Sequence, residues 1–209
     1  MNRPPLLVAI VGGSGSGKTW LAERLKGKLR GEAARLSLDH FYRDRSHLSP
    51  RRRDHLNFDN PASIDWKTFD GVLSAASKGR STRVPAYDFK THCRLRGRWI
   101  FTPKPIVIVD GLWLLRPPRI RRLFGFRIFL ECPARTRLMR RLERDLRFRG
   151  RTSLSVREQF RKTVQPMHKK FVQPQSRWAD VILRDNWGPQ EIEKIIASLR
   201  GGADFSIRQ

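Results

Sequence analysis

Gly12-Gly13-Ser14-Gly15-Ser16-Gly17-Lys18-Thr19 fits the spacing GxxxxGK[ST], and the residues on either side supply the two elements that a phosphate-binding loop requires. Upstream, Leu6 to Val11 is an unbroken apolar run, the pattern of a strand buried on both faces. Downstream, Trp20 to Arg30 predicts a helix. The glycines let successive backbone N–H groups turn inward on the α- and β-phosphates, and the helix N-terminus adds its partial positive charge. Lys18 then reaches the β- and γ-phosphates, and Thr19 offers a hydroxyl to Mg²⁺. With both flanks correct, the stretch marks a nucleoside-triphosphate site rather than an accidental glycine-rich turn.

The chain of 209 residues is long enough for one sizeable core and short for two, so one domain spanning 1–200 with local insertions is expected, followed by a loose tail at 201–209. No apolar run approaches a bilayer span, and the run at 6–11 is too brief for a secretory leader. Cys93 and Cys132 stand alone without metal-ligand spacing, which fits reduced thiols and a cytoplasmic setting. A net charge of +25 gives a surface that attracts polyanions non-specifically. Because Lys and Arg are spread along the chain, an arginine-rich surface around a site for anionic substrates is the plainer account than dedicated nucleic-acid binding.

Strands alternate with helices, the mark of a parallel α/β sheet. Ala34 to Leu38 predicts a second strand ending at Asp39, and residues 43–62 read as loop. Ser63 is a candidate N-cap for a helix to about Ser77, and Thr82–Tyr87 with Arg98–Thr102 form a candidate hairpin around a polar tip. Pro105 to Val109 is the strongest strand and ends in Asp110-Gly111. Phe126 to Leu130 is another, followed by a helix from about Ala134 to Phe148 with Leu138, Leu142 and Leu146 on one face. Ser155 and Glu158 have capping-box spacing, Pro166 is a predicted kink or break, and Asp180–Leu183 and Gln190–Leu199 are the last strand and helix.

Asp39 lies 21 residues past Lys18, at the strand end where wound sheets place chemistry near the γ-phosphate. A carboxylate there can orient a hydroxyl and take its proton, so an alcohol is the expected acceptor. The same Asp can instead cap a turn or bind metal-held water, a role partly compatible with the first.

Several separated motifs then converge. Besides Gly12–Thr19 they are Leu36-Ser37-Leu38-Asp39-His40-Phe41-Tyr42, Asn57-Phe58-Asp59-Asn60-Pro61, Tyr87-Asp88-Phe89-Lys90-Thr91-His92, Arg144-Asp145 with Arg149-Gly150-Arg151, Gln159, Thr163 to His168, and Ala179 to Ile182. In this order, over roughly residues 6–185, the chain resembles the uridine kinase (uridine–cytidine kinase) family of P-loop kinases. The resemblance implies a three-layer α/β sandwich with a mainly parallel five-stranded sheet, a hairpin insertion at about 82–102 and a helical, arginine-rich lid at about 134–175. It implies transfer of the γ-phosphoryl group of ATP to the 5′-hydroxyl of uridine or cytidine, with Mg²⁺ held by Thr19, Asp39 and Asp110 and Asp39 as the base. Asp59 would bind the ribose 2′- and 3′-hydroxyls, and Tyr87, Phe89 and His92 would enclose the pyrimidine. Arg141, Arg144, Arg149 and Arg151 would belong to the lid, with Gln159 in the same shell, and the family further implies a homotetramer under feedback by pyrimidine triphosphates.

Taken by themselves, these residues have plainer readings as well. Asp59 is equally a turn-forming residue before Pro61, a hairpin with Tyr87, Phe89 and His92 is more often ordinary packing, and Arg137, Arg140 and Arg147 read as a solvated face. Trp20 stands where a small hydroxyl residue is common, Asp110 where Glu is frequent, and His40, Arg43 and the Leu112–Gly125 stretch also depart from the family pattern. A phosphoribulokinase-like or pantothenate kinase-like enzyme would use the same carboxylate on another alcohol. An ATP-dependent nucleic-acid-binding protein is the rival from a different class, and it would have no need of a base beside the γ-phosphate.

Overall fold

A five-stranded sheet organises the chain, in the order β2-β5-β1-β6-β7. The computed structural model describes residues 3–54, 56–184 and 187–201. The central strand β1 (Leu6–Gly12) pairs in parallel with β5 (Ile106–Gly111) on one side and β6 (Phe126–Leu130) on the other. The outer strands β2 (Ala33–Ser37) and β7 (Val181–Leu183) pair in parallel with β5 and β6. Side chains alternate across a strand. Leu7, Ala9 and Val11 therefore enter one core while Val8 and Ile10 enter the other, which is why the apolar run carries no polar residue.

Helices α1 (Lys18–Lys28) and α8 (Pro189–Leu199) cover one face through Leu21, Leu25, Ile192, Ile195 and Ile196. On the other face lie Phe41, helix α3 (Trp66–Ala76) and a separate antiparallel hairpin of β3 (Thr82–Asp88) and β4 (Cys93–Phe101). Trp113, Leu114 and Leu115 show what the Leu112–Gly125 stretch is for: all three are buried in that same core. A short helix α4 (Pro118–Arg121) closes the stretch.

Several sequence expectations shift locally. The first helix starts at Lys18 and stops at Lys28, while the second strand ends at Ser37 and hands Asp39 to a 3-10 turn over Leu38–Phe41. The 43–62 stretch contains a short helix α2 (Pro50–Asp54) and the start of a 3-10 turn at Pro61–Ser63. Asp65, not Ser63, caps α3, because its carboxylate accepts from the Thr68 N–H and hydroxyl while the Ser63 hydroxyl donates to the Asn57 carbonyl. Helix α5 (Ala134–Phe148) has the predicted bounds but not the predicted face: Leu146 is exposed, and Arg137, Arg141, Leu142 and Asp145 are buried. Helix α6 (Ser153–Gln159) is capped by Thr152, whose hydroxyl accepts from the Ser155 N–H, rather than by a Ser155–Glu158 box. The chain then stays helical through Pro166, because α7 (Gln165–Met167) is flanked by π-helical stretches at Phe160–Val164 and His168–Val172. A wider turn beside a residue without an N–H takes the place of the predicted break. Of the expected tail, residues 202–209 lie outside the described residues.

Candidate active site

The C-terminal ends of β1, β2 and β5 carry Gly12, Ser37 and Asp110 to one rim of the sheet, where the crevice of a wound sheet opens. The loop after β1 turns through Gly15 and Gly17 at φ 81° and 95°, conformations that side chains rarely adopt. A Cβ on Gly15 would also stand 2.5 Å from the Arg137 carbonyl oxygen. The Lys18 ammonium folds back and donates to the Gly13 carbonyl at 2.8 Å. Burial lowers the Lys18 pKa to about 8, against the upward pull of Asp39 and Asp110.

Thr19 and Asp110 meet as expected, the hydroxyl donating to Oδ2 at 3.3 Å. Asp110 is 2% exposed, and burial raises its pKa against the opposing charges of Arg35 and Lys18. Asp39 lines the same cleft from its 3-10 turn. Thr19, Asp39 and Asp110 present oxygen donors beside the phosphate loop, and such a set suits Mg²⁺, which binds through one or two carboxylates plus phosphate oxygens.

One cleft of about 910 Å³ joins these groups to a second cluster. Tyr87 and Phe89 stand 5.2 Å apart as an edge-on pair, and His92 stacks on Phe58 at 4.1 Å with ring planes 11° apart. The plainer hairpin reading explains the tip itself, since Asp88 folds the turn by accepting from the Lys90 N–H and the Thr91 hydroxyl. It does not explain why His92 is held at φ 56° with its ring in the cleft. Asp59 faces this cluster and accepts from the Thr163 hydroxyl at 3.2 Å, and burial raises its pKa. Its turn role passes to neighbours: Asn57 and Asn60 accept the N–H groups of Asp59 and Ala62.

The arginine-rich helix closes the third side. Arg141 donates to the Ser14 hydroxyl and to Gln159 Oε1, each at 2.8 Å, tying the phosphate loop to the following helix. Arg144 and Arg149 line the cleft, and the Arg149 guanidinium lies 4.7 Å from the Phe89 ring centre. Arg151 lines it too, held by Ser155 at 3.2 Å. Arg137 departs from the solvated-face reading, whereas Arg140 and Arg147 keep to it as exposed side chains. Arg137 is 1% exposed and bonded to the Cys132 carbonyl and Gln165, while Arg140 reaches the Ser16 carbonyl at 3.4 Å.

Three contributors escaped the sequence reading. Tyr42 and Phe58 complete the aromatic box, with Tyr42 packing 5.2 Å from Tyr87. Tyr42 belongs to the Leu36–Tyr42 motif and Phe58 to the Asn57–Pro61 motif, and their aromatic character was the available signal. Asp145 is 1% exposed and pairs with Arg141, Arg144 and Arg149 at 3.4, 2.8 and 3.5 Å. Burial works against its ionised form, but the hydrogen bond from Arg144 and the three guanidinium charges hold its pKa below the usual carboxylate value.

A phosphate loop opening the first helix of a parallel sheet, with an acidic strand end beside it and an arginine-rich helix across it, defines a P-loop kinase, a phosphotransferase. The Phosphoribulokinase / Uridine kinase family model matches residues 7–187, and the chain belongs to that family. Uridine kinase of Clostridium perfringens is 37% identical over 180 residues, covering 86% of each chain. Uridine kinase of Chloroflexus aurantiacus is 35% identical over 201 residues, covering 95% of this chain and 96% of the relative. Among solved structures, phosphoribulokinase from Rhodobacter spheroides superposes with a TM-score of 0.66 at 14% identity, covering 88% of this chain and 71% of that one. D-glycerate 3-kinase from Cryptococcus neoformans gives 0.61 at 19% identity over 88% and 87%. Those two likenesses speak for the fold. Among the described residues no helix is long and apolar enough to cross a membrane.

Proposed function

We propose that this protein phosphorylates the 5′-hydroxyl of uridine or cytidine with ATP, giving UMP or CMP. The observation that carries the reading is a single cleft lined by Lys18 and Thr19, by Asp39, and by Asp59 with an aromatic box. Two relatives at 37% and 35% identity, matched over 86% and 96% of their own length, carry the name uridine kinase, and that supports the acceptor.

In this reading the loop amides, Lys18 and the arginines of α5 hold the triphosphate, and the lid they form excludes water during transfer. Thr19 and Asp110, with Asp39, would hold Mg²⁺, which neutralises charge on the phosphates. Asp59 accepts hydrogen bonds from the ribose diol, a task for which a carboxylate has two oxygens. The rings of Tyr42, Phe58, Tyr87, Phe89 and His92 enclose the base. Asp39 takes the 5′-hydroxyl proton as that oxygen bonds to the γ-phosphorus and the bond from phosphorus to the bridging oxygen of ADP breaks. A second cleft of about 590 Å³ adjoins the loop between Trp20, Arg140 and Trp187, and receives the donor base. A homotetramer accompanies this reading by family resemblance, and the two free cysteines suit a cytoplasmic setting.

The test is product formation with Mg-ATP and a panel of uridine, cytidine, 2′-deoxyuridine, adenosine, ribulose 5-phosphate and pantothenate. Uridine or cytidine turnover is expected, with 2′-deoxyuridine poorer because Asp59 loses one partner. Turnover confined to ribulose 5-phosphate or pantothenate would overturn the acceptor.

A further inference from the structure

Asp110 is held at both of its carboxylate oxygens. Arg35 donates from Nε to Asp110 Oδ1 at 2.9 Å, and its Nη2 lies 2.8 Å from the same oxygen. The remaining arm, Nη1, reaches Glu23 Oε1 on α1 at 3.0 Å. Asp110 Oδ2 is left to Thr19, which also sits on α1. The result is a closed ring, α1 to β2 to β5 and back to α1, that runs Glu23, Arg35, Asp110, Thr19.

The strand register makes this possible. Arg35 pairs with Ile108 and Ser37 with Asp110, so Arg35 and Asp110 share the α1 face of the sheet as diagonal neighbours on adjacent strands, a gap the long arginine stem spans. A guanidinium suits the place because its planar fork spends two donors on one oxygen and a third on Glu23, which a lysine cannot do. Asp110 has one methylene fewer than Glu to reach the cleft with, so the direction of its second oxygen matters more. At 2% exposure it has few alternative orientations.

Building on the phosphotransfer reading, we propose that Arg35 is a positioning residue: by clamping Oδ1 of Asp110 it fixes Oδ2 toward Thr19, and by cancelling one negative charge it keeps Asp39 and Asp110 from binding a divalent cation until nucleotide phosphates join them. Arg35 does not touch the substrates in this account; it acts through Asp110.

The experiment compares wild type, Arg35→Met and Arg35→Lys for Mn²⁺ affinity by electron paramagnetic resonance, without nucleotide and with ADP, and for kcat and nucleoside KM with Mg-ATP. Arg35→Met is expected to bind Mn²⁺ about tenfold more tightly without nucleotide, because one compensating charge a few ångströms away is gone. Its kcat is expected to fall about tenfold or more with nucleoside KM nearly unchanged, the pattern of an interaction lost in the transition state alone. Arg35→Lys, which keeps the charge without the fork, should return the weak Mn²⁺ binding and leave kcat low. If Arg35→Met fails to fold by circular dichroism, Arg35→Lys carries the test through its kcat. Wild-type values in every readout for a folded Arg35→Met, or full kcat in Arg35→Lys, would overturn the proposal. Absence of nucleoside turnover in the wild type would instead count against the proposed acceptor, and the Mn²⁺ comparison would still decide on Arg35.

Discussion

Replacing Asp145 by Asn tests whether the arginine-rich helix is assembled around one buried anion. The carboxylate is 1% exposed and meets three guanidinium groups at 2.8, 3.4 and 3.5 Å. At an effective dielectric constant near 20, each contact is worth about 5 kcal/mol of gross Coulomb attraction, most of it spent on taking the charges out of water. Removing one partner of such a cluster costs about 3–5 kcal/mol. The lower end applies here, because Asn still accepts from Arg144, and the side chains of Arg144 and Arg149 retain 37% and 26% of their exposure to water. A loss of about 3 kcal/mol lowers Tm by about 6–12 °C in a chain of this size. The three arginines would then repel one another, Arg141 would slacken its hold on Ser14 and Gln159, and KM for both substrates should rise. Differential scanning fluorimetry and initial-rate kinetics read both effects, with Glu158→Gln as a control that removes an exposed ion pair to Lys162 and should change neither. Acid supplies a second check: a carboxylate with a depressed folded pKa adds stability above its unfolded value of 3.8 and loses it as pH falls through the lower folded value, so Asp145→Asn should narrow its deficit on strong acidification. A Tm and KM equal to wild type at neutral pH would show that the arginine-rich helix does not depend on this buried anion.

Two further outcomes follow from the same structure. The folded chain holds His168 at a pKa of about 4, through burial and the nearby charges of Arg137 and Lys18, against 6.5 in the unfolded chain. Between those values the unfolded state binds the extra proton, so stability should fall by up to about 3 kcal/mol as pH drops from 6.5 to 4, and urea melts of His168→Gln should lack most of that slope. The Trp20 and Trp187 rings lie 5.5 Å apart beside the second cleft. If the donor base stacks there, Trp187→Ala should raise ATP KM by about tenfold at an unchanged acceptor KM, since base stacking on an aromatic ring is worth about 1–3 kcal/mol; equal KM values would move the base elsewhere.

The sheet and the phosphate loop were legible because their signals are local. An apolar run of six residues that ends in a glycine-rich turn and a helix leaves few alternatives, and four of the five sheet strands appear within a residue or so of their expected places. Face assignments on α5 failed because hydropathy puts arginine and aspartate outside, whereas Arg137, Arg141 and Asp145 are inside, supported by partners up to 127 residues away in the chain. Asp65 and Thr152 displaced the expected caps by two or three residues, a scale that depends on which side chain reaches an N–H first. Asp39, Asp59 and the hairpin residues were named from motifs, but their meeting in one cleft depends on how β2, the 57–61 turn and the hairpin pack on a shared core. Arg35 was invisible for the same reason, since its partner lies on a strand 75 residues later.

Single-turnover phosphorylation of uridine by wild type and Asp39→Asn, with ATP and uridine affinities measured separately, isolates the role of Asp39 in the chemical step. A chemical step slower by about 10²–10⁴-fold is expected, with both substrates still bound. An Asn variant that transfers phosphate at the wild-type rate would contradict a base at Asp39 and, with it, the mechanism.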